Sequence, residues 1–86
     1  MSKRFFGRPF IEMLWVSEDE RRQGHGAALL DRLVRIGLRS GEVWTSANQS
    51  NRSMQRLLKR HGFLWCGRVS GLDAGDPELF YVTRKP

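Results

Sequence analysis

The alternation of apolar and polar positions predicts four short strands in this chain. Phe10–Val16 is a mostly apolar run, which we interpret as a strand covered on both faces. Further strands are predicted at Val43–Ser46, Phe63–Ser70 and Glu78–Thr83. Residues 71–77 are rich in glycine, aspartate and proline, and they predict a hairpin loop between the last two strands.

Between the first two strands, apolar side chains recur at helical spacing. We predict a helix that begins at Gly24 or His25 and ends at Arg39. Gly41 follows it, and glycine commonly ends helices because it adopts the left-handed conformation without strain. The predicted buried side of this helix consists of Ala27, Leu30, Leu33, Val34 and Leu38.

A second helix is predicted between the second and third strands. Ser50 or Asn51 can cap its first turn, and Gly62 ends it. Its apolar stripe consists of Met54, Leu57, Leu58 and His61. Its outward side carries the cations Arg52, Arg56, Lys59 and Arg60.

The predicted fold class is α/β, in the sense of a mixed α+β sheet, with the order β-α-β-α-β-β. A βαβ unit followed by an antiparallel hairpin produces such a sheet, and its first two strands should be parallel. The chain contains no repeat, low-complexity tract or linker, so we expect residues 1–86 to form one domain.

Composition excludes several classes of protein. No run of about 18 apolar residues is present, which argues against a membrane span. The basic N-terminus has no apolar segment of the secretory type, and the single cysteine, Cys66, cannot form an internal disulfide or a cysteine-based metal site. We therefore expect a cytoplasmic domain without a metal.

The charge balance indicates an anionic partner. Lys and Arg number 15 against 9 Asp and Glu, for a net charge of +6. Arginine, whose planar fork suits phosphate and carboxylate, supplies most of these cations. Nucleic acid, a nucleotide-like cofactor and an acidic surface all fit this excess, as does a solvated basic surface without a partner.

A phosphate-binding signal lies where the first helix begins. Arg21 and Arg22 precede Gly24 and Gly26 in the pattern Arg-x-x-Gly-x-Gly. The first amides of a helix have no internal partners, and glycines let an oxygen anion approach them closely. A plain loop-to-helix turn has the same pattern. A third glycine is missing, so this is not a dinucleotide fingerprint.

Two motifs together make the chain resemble the C-terminal half of a GNAT-superfamily N-acetyltransferase. The first comprises Leu14–Val16, Arg21–Gly26 and the pair Leu29–Leu30, and it is similar to the acetyl-CoA motif of that family. The second is Asn51–Phe63, similar to the family's helix that opens with Asn and closes with Gly-Phe. The resemblance covers roughly residues 9 to 84.

The resemblance implies that acetyl-CoA is the cofactor. Its pyrophosphate would bind the backbone amides of the loop beside Arg21, that is, Arg22, Gln23, Gly24, His25, Gly26 and Ala27. The pantetheine arm would pair like an added strand with main-chain groups of Leu14, Trp15 and Val16. Asn51 would bond to the cofactor, and the parallel strands at Val16 and Val43 would splay apart around the thioester.

The chain departs from the family at the acid and in its length. Leu58 occupies the position of the tyrosine that protonates the leaving thiolate. Leucine cannot donate a proton, so water, Tyr81 or no group performs that task, and Tyr81 is more simply an ordinary strand aromatic.

A complete family member is about twice as long. Only Lys3–Phe6 could be a remnant of the preceding strand. The strand Phe10–Val16 is then expected to be an unprotected edge, which predicts a homodimer with Phe5, Phe6 and Trp15 in its interface.

Glu12 is the candidate catalytic residue. It is the carboxylate on the central strand, where partial burial would suit a base that acts through water. A solvent-facing residue or a partner of Arg8 is the alternative. Other candidates are expected to be structural: His25, His61, an inert buried Cys66, a solvated Asp76 and Glu78, and core tryptophans at Trp44 and Trp65.

The leading hypothesis is an acetyl-CoA-dependent N-acetyltransferase that acts on a primary amine by direct attack on the thioester. A CoA-binding module without activity is the second, because the tyrosine and half of the usual fold are missing. A small nucleic-acid-binding protein that uses the cations of the second helix is a third hypothesis, but no recognition motif accompanies those charges.

Overall fold

The computed structural model describes residues 3–13, 16–17 and 24–85. Its strands are β1 (Lys3–Phe5), β2 (Arg8–Ile11), β3 (Glu42–Asn48), β4 (Leu64–Val69) and β5 (Glu78–Arg84). Its helices are α1 (Gly26–Gly37), which continues as a 3₁₀ turn over Leu38–Ser40, and α2 (Arg52–Arg60). Within the described ranges, no helix is long and apolar enough to cross a bilayer.

The five described strands form one mixed sheet in the order β1-β2-β3-β5-β4. β2 and β3 are parallel, and every other neighbouring pair is antiparallel. The predicted mixed fold is therefore confirmed from β2 onward, with β1 as an additional strand in front.

The predicted strand Phe10–Val16 is wrong in its second half. β2 ends at Ile11, whereas Met13, Val16 and Ser17 have helical backbone. Met13 and Val16, three residues apart, are both buried, as expected of one side of a helical turn. Periodicity cannot separate a short buried strand from a buried helical segment when nearly every position is apolar.

The prediction that this strand is an open sheet edge is also wrong. β1 pairs with β2 in a hairpin whose turn residues, Phe6 and Gly7, have φ of 51° and 78°. Positive φ at both central residues is typical of the tight turns that match strand twist. β1 therefore covers β2, and the edges of the described sheet are β1 and β4.

The helix ends confirm the predicted caps. Asn51 Oδ1 accepts a hydrogen bond from Met54 N at the start of α2, and Gly62 follows its end with φ of 83°. Gly41 ends the 3₁₀ turn after α1 with φ of 101°. Residues other than glycine are strained at such positive φ. Each glycine therefore ends its helix through its own backbone conformation.

Both helices contribute to one core. Val43, Thr45 and Ala47 alternate on one side of β3, and all three are buried. Their cross-strand partners on β5 include Tyr81 and Leu79. The helices pack on this side of the sheet, and they contribute Leu30, Val34, Met54, Leu57 and Leu58 to the core.

Three residues that the sequence predicts to be buried, two tryptophans and the cysteine, are exposed or half-buried. Trp65 is 59% exposed on the edge strand β4, and Cys66 beside it is exposed as well. Trp44 is half-buried on the opposite side of the sheet from the helices. Edge position explains the exposure of Trp65 and Cys66, since β4 is flanked on one side only among the described strands, whereas Trp44 on β3 lies on the side of the sheet without helices.

The other side of the sheet carries aromatic rings. The Phe5 ring contacts Phe10, Trp44 and Phe80, with centroids 5.4 to 5.6 Å apart. Arg84 lies 5.8 Å from the centroid of the Trp44 ring. Offset and tilted ring pairs are favourable at these distances. The contacts of Phe5 therefore stabilise the position of β1 at the edge of the sheet.

Glu42 lies at the start of β3 beneath these rings. Its carboxylate accepts from Arg8 Nε at 3.1 Å and from Trp44 Nε1 at 3.0 Å, and Arg84 Nη2 lies 3.2 Å away. Desolvation raises the pKa of Glu42, but these hydrogen bonds and the two arginine charges outweigh it. The pKa of Glu42 is therefore below its ordinary value of 4.5.

We expect Glu42 to make stability depend on acid pH. Because its pKa is lower in the folded chain, its contribution is fully present above pH 4.5 and is lost as the pH falls through the lower folded value. In thermal melts at pH 7, Glu42→Gln should unfold at a lower temperature than the natural chain. This difference should shrink toward zero in acid, and a difference that stays constant with pH would contradict the assignment.

Candidate active site

A cleft lies where the parallel strands β2 and β3 separate. Their ladder ends at the pair Ile11 and Thr45, while β3 continues to Asn48. The cleft beyond that point has a volume of about 430 Å³. It is lined by Phe10, Glu12, Met13, Ser17, Ser46, Ala47, Asn48, Asn51, Met54 and Glu78.

Thr45 marks the point of separation. Its hydroxyl is buried and donates to the Ile11 carbonyl at 2.7 Å. This bond satisfies a backbone acceptor of β2 at the last residue of the ladder. The two parallel strands therefore separate beyond Thr45 rather than at Val43, and a thioester in this gap stays a prediction.

The topology directs helix N-termini toward this end of the sheet. α1 follows β2 and α2 follows β3 along the chain, and the helix of a right-handed βαβ crossover runs back antiparallel to its strands, so its N-terminus is expected at their carboxyl ends. Crevices outside the carboxyl ends of parallel strands are the usual ligand sites of open α/β sheets. Asn51 and Met54, from the first turn of α2, line the cleft directly.

The start of α1 combines positive φ with a turn that lacks acidic side chains. Gly24 has φ of 73°, and a Cβ built on it would meet no atom within 4 Å. His25 is the exposed cap residue and Gly26 is the buried first residue of the helix. Of the described residues, none in the first turn is acidic, and Ala27 is exposed there. This arrangement suits an anion near the helix N-terminus.

Several predicted cofactor-binding residues lie outside the described residues. These are Leu14, Trp15, Arg21, Arg22 and Gln23. Their roles stay predictions. Val16 is described, but its backbone is helical and its side chain is fully buried, so it does not extend β2 as a strand.

Asn51 has a structural role alongside its place in the cleft. Its Oδ1 accepts from Met54 N at 3.4 Å and from Ser53 Oγ at 3.2 Å. Because the side-chain oxygen caps α2, the amide nitrogen is the group with which Asn51 could donate to a ligand in the cleft.

Two carboxylates line the cleft. Glu12 is half-buried just beyond the end of β2. Glu78 lies at the start of β5 and accepts from Ser46 Oγ at 2.7 Å. The predicted alternative that Arg8 pairs with Glu12 is not what the structure shows for Arg8, whose carboxylate partner is Glu42.

The β4–β5 loop is attached to the rim of the cleft by its own acids. Asp76 accepts from the hydroxyl and the backbone amide of Ser50, at 2.6 and 3.1 Å. Asp73 accepts from Asn48 Nδ2 at 2.8 Å. These bonds hold the loop that leads to Glu78. The prediction of a solvated Asp76 and Glu78 is therefore wrong for both, since Asp76 binds Ser50 and Glu78 binds Ser46 in the cleft wall.

Leu58, at the position of the family's tyrosine, and Tyr81, the side-chain candidate for the acid, are both core residues. Leu58 is fully buried and belongs to the hydrophobic cluster. Tyr81 is 2% exposed and is not among the residues that line the cleft, and burial raises the pKa of its phenol. Its environment agrees with the prediction of an ordinary strand aromatic.

The remaining candidates lie away from the cleft. His61 ends α2, with Nδ1 3.0 Å from the Leu57 carbonyl oxygen. The Cys66 thiol donates to the Phe80 carbonyl at 3.3 Å. Desolvation raises the pKa of this thiol while Arg84 opposes the rise, so it is a poor nucleophile despite its exposure. Among the residues with described positions, no group of three or more metal-ligating side chains is placed to hold a metal ion.

Sequence reasoning missed much of the cleft wall. Ser46 and Asn48 alternate with buried residues along β3, and this polar alternation is a signal that could have identified them. Phe10, Met13 and Met54 carry no such signal, because apolar residues look the same in a core and in a cleft wall.

The comparisons with known proteins agree with this geometry. The model of the acetyltransferase (GNAT) family matches residues 2–63. A GNAT-family acetyltransferase from Bacillus cereus ATCC 10987, known from its crystal structure, is 35% identical with a TM-score of 0.78. The match covers 96% of this chain but 58% of that protein, so the chain spans little more than half of its length. A search of curated proteins found no match. With a family model over most of its length and a similar solved structure, the chain belongs to the GNAT family of acetyltransferases.

Proposed function

We propose that this chain is an acetyl-CoA-dependent N-acetyltransferase that acts on a primary amine. The cleft at the end of the β2–β3 ladder is the observation that carries the proposal, since it opens beside the first turn of α2 and contains Glu12. Family membership supports acyl transfer, and the carboxylates of the cleft suit a cationic amine as the acceptor.

The described residues fit acetyl-CoA as the donor. Gly24 leaves open space where a Cβ would otherwise lie, and the first turn of α1 lacks acidic residues among those described. Both features favour a pyrophosphate at this helix start. When bound, the cofactor supplies an acetyl thioester. The cleft volume of about 430 Å³ lies within the range of small-molecule sites.

Within this proposal each residue has a limited task. Backbone amides at the start of α1, with Gly24 and Gly26, hold phosphate oxygens. Asn51 donates from the first turn of α2. Glu12 would accept a proton from the ammonium form of the acceptor, directly or through a water, and so free the nitrogen lone pair for attack on the acetyl carbon. The second nitrogen proton would pass to solvent as the amide forms and the thiolate leaves. The proton for the departing thiolate comes from solvent, because Tyr81 is buried away from the cleft.

A CoA-binding module without activity is the second candidate, and one observation favours it. Leu58 has no proton to donate and Tyr81 is buried away from the cleft, so neither side chain supplies an acid there. The exposed cations of α2 remain compatible with nucleic-acid binding, but exposure alone does not distinguish a binding surface from a solvated one. A cytoplasmic location stays a prediction.

Acetyl-CoA should strongly stabilise the chain against heat. At about 100 times its dissociation constant a ligand adds about 2.7 kcal/mol. In a domain of this size that corresponds to a rise of about 11–22 °C in the unfolding midpoint. We expect the rise to disappear in Gly24→Val, whose side chain would occupy the space required by the phosphates. The measurement is a thermal melt of each variant with and without acetyl-CoA.

Gly71 offers a matched control for this variant. It lies in the β4–β5 loop with φ of 96° and, like Gly24, has no atom within 4 Å of a built Cβ. Gly71→Val therefore carries similar backbone strain and should keep the full response to acetyl-CoA. A response lost in both variants, or kept in both, would contradict the phosphate site. Turnover of acetyl-CoA with amine acceptors then separates the enzyme from the inactive module.

A further inference from the structure

Strand β4 has one unpaired side. It pairs with β5 on one side, and no other strand of the described residues pairs with it on the other. Its large apolar side chains are exposed: 71% for Leu64, 59% for Trp65 and 43% for Val69. An exposed apolar edge is a template for another strand.

A bulge arranges these side chains into two sets. Leu64 and Val69 lie opposite Val82 and Glu78 of β5, which are an even number of residues apart and therefore share a face. Trp65 and Arg68 lie opposite Tyr81 and Leu79, which share the other face. The register shift between Trp65 and Gly67 brings residues five apart onto one side of the sheet.

We propose that β4 pairs with β4 of a second copy, antiparallel, to form one continuous sheet in a symmetric homodimer. With the twofold axis between Cys66 and Gly67, Leu64 lies opposite the partner's Val69, and Trp65 lies opposite the partner's Arg68. The first pair is apolar and the second is a cation–π pair. Both pairs occur twice, as a twofold interface requires.

Charge supports a second copy as the occupant. Arg68 is the only charged residue of β4, and its Nη1 lies 3.5 Å from Gln49 Oε1. In the proposed register it would lie opposite the partner's Trp65 rather than another cation. Because of the bulge, Trp65 and Arg68 are two ladder positions apart, so Arg68 and the partner's Arg68 would be diagonal neighbours about 7–8 Å apart, and salt screens part of their repulsion. The homodimer predicted from the sequence is thus retained, but at β4 rather than at Phe10–Val16. The inference does not depend on the proposed acetyl transfer.

The single cysteine provides a direct test, because Cys66 lies next to the proposed axis. A short bismaleimide should join two chains through Cys66 into a product of twice the 10.0 kDa chain mass on a denaturing gel. Light scattering on a column at micromolar concentration should give the same doubled mass. A mass of one chain in both experiments overturns the proposal.

Charge variants test the register. Trp65→Lys places a cation opposite the partner's Arg68 and should raise the dimer dissociation constant about tenfold or more. Adding Arg68→Glu to it creates Lys–Glu pairs across the interface and should restore the dimer.

Leu72→Lys, at a 63% exposed loop position, is the control and should not change dimerisation. A dimer that survives Trp65→Lys but is lost in Phe6→Lys would move the interface to the β1 side and overturn the proposal.

Discussion

Replacing Glu12 by glutamine is expected to lower kcat of acetyl transfer by about 10²–10⁴-fold, the usual contribution of a positioned general base. Glutamine has the same size and can still hydrogen-bond, but it cannot accept the proton of the amine. KM for acetyl-CoA should change little, because the phosphate site proposed at the start of α1 is formed by other residues. Steady-state kinetics with a primary amine over a range of acetyl-CoA concentrations measure both constants.

The position of Glu12 explains why the effect should be on the chemical step. It lies at the point where the β2 backbone leaves the ladder with β3, and it lines the cleft beside Met13. It is half-buried, and a base in such a place is in reach of a bound amine while partly shielded from water.

Glu42→Gln provides the matched control for this substitution. Glu42 is bonded to Arg8 and Trp44 outside the cleft, so the same chemical change there should leave kcat within about twofold per folded molecule. Equal losses in both variants would show that the effect is general rather than catalytic. Full activity in Glu12→Gln would remove Glu12 from the mechanism.

Leu58→Ala is expected to destabilise the fold by about 2–5 kcal/mol. Leu58 is fully buried within the cluster that joins α2 to the sheet, so its truncation leaves a cavity. A domain of this size has about 4–13 kcal/mol of stability in total. The midpoint of unfolding should fall by about 8–40 °C, as measured by circular dichroism or calorimetry.

Leu72→Ala is the control for Leu58→Ala. Leu72 is 63% exposed, so the same truncation should change stability by no more than about 0.5 kcal/mol. A small effect at Leu58 would contradict its place in the core. It would also reopen the possibility that this position faces the cleft, as the resemblance to the family implies for its tyrosine.

The capping and terminating residues in the sequence were sufficient to predict where the helices lie. Asn51, Gly41 and Gly62 act on the backbone within a few residues of themselves, and the structure places each at the predicted cap or helix end. The family motifs also lie in contiguous segments, and the match to residues 2–63 confirms what they indicated.

The strand that leads into the candidate site shows where local signals fail. An apolar run such as Phe10–Val16 satisfies both a strand and a buried helical turn. The ladder with β3 ends at Thr45, and this contact involves residues 34 positions apart in the chain. A contact between residues so far apart in the chain does not change the pattern of apolar and polar positions in either strand.

The sequence by itself determined the helices with their ends, the succession of strands and helices along the chain from β2 onward, the family and the glycines at the start of α1. Each follows from interactions within a few residues or from contiguous motifs. Only the tertiary structure decided that β1 covers β2, that Trp65 is exposed on an edge, and that Glu12, Asn51 and Glu78 line one cleft. Burial and proximity in a sheet depend on which distant strands become neighbours, and pairing energies that span the whole chain set that order.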